Sequence, residues 1–143
     1  MRLIFLTIIV CQAISLVNAQ DRQHDFTDLL KVIFNEKSID FRGLNISELG
    51  NPEIIILKNQ PIKDLFNKDF LIKEISEDSP RAFILDDDYI FGYKVKFFLE
   101  FTEIKIGSKK ATLEVKVNEA DQTKRLIYSF KKKKGNWFLS SVK

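Results

Sequence analysis

Between Tyr93 and Val142 the chain alternates apolar and polar residues in successive runs. A period of two puts each apolar set on one face, which leaves little besides a half-buried antiparallel sheet. Tyr93, Val95, Phe97, Leu99 and Phe101 form the first apolar set, and Ala111, Leu113, Val115 and Val117 the second. Leu126, Tyr128 and Phe130 form the third, and Trp137 to Val142 closes the series. Gly107-Ser108, the polar stretch Asn118 to Thr123 and Gly135-Asn136 supply the turns. The first run has a flaw: Ile104 and Ile106 are even-numbered where the preceding apolar residues are odd. A one-residue slip turns side chains to the opposite face, so a β-bulge is expected near Thr102-Glu103. The expectation is a four-stranded meander.

Upstream, the elements are shorter. Phe26, Leu29, Leu30 and Ile33 recur at helical spacing, which predicts a helix from Asp25 to Glu36 with Asp25 as its cap. Residues 38–51 read as a connection. Glu53 to Lys58 reads as a strand, and Ile62, Leu65 and Phe66 after Pro61 as two helical turns. Phe70 to Ile75 is a weaker strand pattern, and Ala82 to Leu85 is a short apolar piece between Pro80 and Asp86-Asp87-Asp88. The fold class expected is α+β: an N-terminal helix packed on a curved antiparallel sheet that ends in the meander.

The first nineteen residues read as an export signal. Arg2 precedes the apolar run Leu3 to Val10, and Val17-Asn18-Ala19 offers a cleavage site that would leave Gln20 first. Leu3 to Val17 is shorter than the about 20 apolar residues a spanning helix needs, and it holds Gln12 and Ser15. Lipidation at Cys11 is a lesser alternative, because the bulky Val10 precedes it. The expected organisation is a signal over 1–19 and one domain over 20–143, periplasmic or secreted.

Several chemistries lack their residues. Cys11 is the single cysteine and would leave with the signal, so neither a disulfide nor a thiolate site is expected. His24 is the single histidine and sits near the mature terminus, which argues against zinc and against a serine–histidine pair. The five glycines are isolated, so no phosphate-cradling loop is present. Asp86-Asp87-Asp88 lacks the alternate spacing of a calcium loop and reads as an acidic loop before a strand. Asn45-Ile46-Ser47 is a glycosylation sequon, relevant only in a eukaryotic source. No catalytic residue, metal ligand or cofactor is expected.

Charge divides along the chain. Residues 20–90 hold nine Lys/Arg and fifteen Asp/Glu, a net −6, whereas residues 91–143 hold thirteen and five, a net +8. Lys131 to Lys134 precede one hairpin turn, and Lys109 and Lys110 follow another. Alternate turns of a meander share an end, so Lys109, Lys110, Lys133 and Lys134 would form a basic rim. An exported chain is not expected to meet nucleic acid, which makes an anionic surface the matching partner. The reading preferred here is the bland one, lysines that deter edge pairing and aid solubility.

The stretch Tyr128-Ser129-Phe130-Lys131-Lys132-Lys133-Lys134-Gly135-Asn136-Trp137-Phe138-Leu139 is similar to the last hairpin of exported bacterial members of the NTF2-like (cystatin-like) α+β superfamily. The order helix, strand, helix, meander also resembles that class. The resemblance implies a pocket between sheet and helices, with Tyr93, Phe97 and Tyr128 as its lining and a small apolar ligand as its occupant. The apolar faces carry no carboxylate or histidine, so the reading preferred here is a non-catalytic exported domain that acts by binding. The pocket-bearing domain, binding or transforming a small apolar ligand, is the alternative.

Overall fold

In the computed structural model the alternating runs become four long strands: β5 (Phe97–Ile106), β6 (Lys110–Glu119), β7 (Gln122–Lys133) and β8 (Asn136–Val142). They pair in sequence order, all antiparallel. The structure describes residues 2–36, 39, 44–46, 52–66, 71–72 and 81–143. Their inner faces hold the residues that the alternation selects: Phe97, Leu99, Phe101, Ala111, Leu113, Val115, Val117, Leu126, Tyr128 and Phe130 are all buried. The expected bulge is present. Phe101 pairs Val115 and Glu103 pairs Glu114, so Thr102 is the extra residue, and Ile104 and Ile106 turn toward the core after it.

The sheet as a whole corrects the antiparallel expectation. It is mixed and open: six principal strands in the order β4-β2-β5-β6-β7-β8, with the two-residue β3 (Leu71–Ile72) beside β4 and β1 (Asn45–Ile46) beside β2. Strand β2 (Pro52–Leu57) runs parallel to both β4 (Arg81–Leu85) and β5. Parallel neighbours need crossovers. One of them carries α3 (Asp87–Gly92) over the outer face between β4 and β5, where its Ile90 is buried as Ile55 is. Being covered on both faces explains why Ile54-Ile55-Ile56 is apolar without alternation.

Helix α1 (Arg2–Asn35) lies against the inner face, with Phe26, Leu29, Leu30 and Ile33 all in the core. Phe26 is the hub, meeting Phe101 at 5.2 Å and Phe66 at 5.9 Å, both edge-to-face. Helix α2 (Gln60–Lys63) and the turn after it add Ile62, Leu65 and Phe66 to the same layer. Each such side chain, fully buried, stabilises the fold by about 1.5–3 kcal/mol.

Four local expectations change. Asp25 does not cap a helix, because α1 continues unbroken through it; its carboxylate is used elsewhere, as described below. Asp86-Asp87-Asp88 is not a loop before a strand but the start of α3, where negative charge suits the helix N-terminus. Tyr93 is not in the first strand. It ends α3, and the chain then reverses through Lys94 at φ 50°, with Lys94 N–H bonding Phe91 O and Val95 N–H bonding Ile90 O. That pair of bonds is a Schellman ending. The turns are also tighter than their composition suggests: Lys134-Gly135, both at positive φ, replace Gly135-Asn136, and Ala120-Asp121 replace the longer Asn118–Thr123 loop. Of the weak pattern Phe70 to Ile75, β3 is the described part. The rest, with most of the 38–51 connection, falls outside the described residues.

Candidate functional site

The three residues expected to line an inner pocket are not brought together. Phe97 and Tyr128 are fully buried between the sheet and α1, Tyr128 stacking on Phe130 at 6.2 Å. Tyr93 projects from the outer face, 74% exposed. Open space lies on the opposite side of the sheet.

There, a groove of about 540 Å³ runs between the sheet and α3. Its floor is Glu53 and Ile55 of β2 with Phe83 and Leu85 of β4. Its far wall is Tyr89 and Tyr93, whose rings lie 4.5 Å apart, with Lys94, Val95 and Lys96 beyond. Leu44 and Asn45 close the near side, and the Asn45 side-chain amide donates to Phe97 O at 2.8 Å, so the sequon asparagine is already engaged. Sequence parity dictates the floor. Alternate residues Ile54, Ile56, Ala82 and Ile84 point to the core, which leaves Glu53, Ile55, Phe83 and Leu85 outward. Tyr89, Phe91 and Tyr93, at 46%, 67% and 74% exposed, place three large aromatic side chains on one short helix and its end. Phe91 also meets Phe98 of β5 edge-on at 6.1 Å. The groove therefore offers ring faces, one carboxylate and two ammonium groups, which are means of recognition. The period-two reading hid this site, because Tyr93 and Val95 share the parity of Phe97.

The lysines of the two turns lie together. Register puts the β5–β6 turn and the β7–β8 hairpin at one end of the sheet, with Lys132 N–H bonding Lys109 O at 2.9 Å. Lys109, Lys110, Lys131, Lys133 and Lys134 are all exposed there. Lys132 alternates inward, and its ammonium meets Asp25 of α1 at 2.6 Å.

Asp25 also accepts the Trp137 indole N–H at 2.8 Å, and the Lys132 ammonium lies 5.0 Å from the Trp137 ring centre. Burial pushes the Asp25 carboxyl up, but the two hydrogen bonds and the Lys132 charge outweigh it and hold the group below the ordinary carboxylate value. Trp137 is buried as its position after a tight turn suggests, yet its partner is this carboxylate; Phe138 is half exposed on the other face. On the outer face of the meander, Arg125 makes a two-pronged bond to Glu114 (2.9 and 2.8 Å) and Thr102 donates to the same carboxylate. These bonds lower the Glu114 pKa, those from Arg125 foremost. Among the described residues no group of three or more His, Cys, Asp or Glu is placed to hold a metal ion. Comparisons with protein families, with curated proteins and with solved structures find no match for this chain.

Proposed function

We propose that this is a small exported domain that acts by binding rather than by catalysis, and that the groove beneath α3 is its recognition face for an extended, apolar segment of another protein. The observation that carries this reading is the pair of exposed aromatic side chains, Tyr89 and Tyr93, that wall a groove floored largely by Ile55, Phe83 and Leu85. Exposed aromatic clusters of this kind are typical of protein-binding surfaces, where Tyr in particular adds area at small entropic cost. Export rests on the N-terminal pattern alone.

Selection from a random peptide library on the full chain tests the proposal. Enriched peptides should share apolar residues at alternate positions, and should bind at least tenfold more weakly to a Tyr89→Ser/Tyr93→Ser variant. Failure to enrich any family, or equal binding to the variant, would overturn it. A second reading follows from the volume: about 540 Å³ lies in the range of small-molecule sites. A small apolar ligand would quench or shift tyrosine emission while the selected peptides would compete with it.

A further inference from the structure

We infer that the lysine-bearing end of the sheet is a docking face for an anionic lipid surface, independent of the groove. Three observations meet at this end. The first is charge without compensation: Lys109, Lys110, Lys131, Lys133 and Lys134 have no carboxylate at ion-pair distance among the described residues. Lys110 and Lys131 are direct cross-strand partners, an arrangement of like charges that disfavours the sheet unless something outside it takes up the charge.

The second is Phe138. It is the cross-strand partner of Lys131 on the outer face, so the row Lys110, Lys131, Phe138 sets an aromatic ring, half exposed, beside two ammonium groups. A ring among lysines matches the headgroup boundary of a bilayer, where apolar insertion and attraction to anionic lipid act together. Edge protection and solubility account for the lysines but not for this ring.

The third is that α1 reaches this end: the exposed Arg22 borders the β5–β6 turn, beside Lys110, and adds a cation there.

The test is sedimentation of the full chain with vesicles of phosphatidylcholine alone and of phosphatidylcholine with phosphatidylglycerol. Each lysine near an anionic surface raises partitioning about fivefold at low salt, and the effect falls as salt rises. Binding should therefore be stronger on the mixed vesicles and weaken with salt. Changing Lys109, Lys110, Lys133 and Lys134 to Glu should remove the preference for mixed vesicles, and the same four changed to Gln should weaken it should the reversal misfold. Phe138→Ser should lower binding while leaving its salt dependence. Equal partitioning onto both vesicle types, unchanged binding by the Gln variant, or retention on an acidic polysaccharide but not on vesicles would overturn the inference.

Discussion

Replacing Asp25 with Asn keeps the side chain's size and removes its charge, which isolates what the carboxylate does between α1 and the last hairpin. In the folded chain that carboxylate accepts from the Lys132 ammonium at 2.6 Å and from the Trp137 indole at 2.8 Å. A hydrogen bond to a charged group nets about 1.5–3 kcal/mol and a neutral one about 1, so losing charge from two bonds should cost about 2 kcal/mol near neutral pH. Lys132 is a quarter exposed and can turn to water, which keeps the penalty below that of a fully buried pair. For a chain of this size the melting temperature should fall by about 6–10 °C. The pH dependence is the sharper test. The folded pKa of Asp25 is lowered, so its contribution is complete above the unfolded value of about 3.9 and is lost as pH falls through the folded value. Urea unfolding of both proteins, followed by circular dichroism and by the single tryptophan, should show a gap that is full at pH 5–7 and closes in strong acid. A gap of the same size at both extremes, or none at neutral pH, would refute the argument. Lys132→Met in a double-mutant cycle should return a coupling of about 0.5–3 kcal/mol.

Trp137→Ala should cost about 3–5 kcal/mol in denaturant unfolding, since it removes a buried aromatic and one of the two donors to Asp25. Lys94→Gly should stabilise the protein by about 0.5–1 kcal/mol, because Lys94 sits at φ 50° where glycine carries no steric penalty; a loss of stability would mean that its stem packs on the groove wall. N-terminal sequencing of exported material should begin at or near Gln20, and a chain retaining Met1 or carrying lipid on Cys11 would contradict the export reading.

The parts legible in the sequence are those whose signal is local. Alternation from Phe97 to Val142 marks the meander, and the change of parity at Ile104 marks the bulge at Thr102, because side-chain direction in a strand is a matter of counting. Helix α3 carried a local signal too: acidic residues before Tyr-Ile-Phe. That signal lost to the stronger parity of Tyr93 and Val95, and with it went the groove. The parallel pairing of β2 had no such signal: the unalternating run Ile54-Ile55-Ile56 fits a strand covered on both faces but does not set the direction of its neighbours. The Asp25 contacts had no local signal, since they join residues 107 and 112 positions apart.

That separation bears on the order in which the chain can fold. A helix near the N-terminus that docks on the last hairpin cannot complete its contacts until the final residues are free, whichever elements form sooner. Closing so long a loop is costly and slow, so α1 should join late, after the meander has supplied both donors. A chain released before Trp137 would keep Phe26, Leu29 and Leu30 without their full cover. Such a dependence leaves the inner layer incomplete until the whole chain is free to fold.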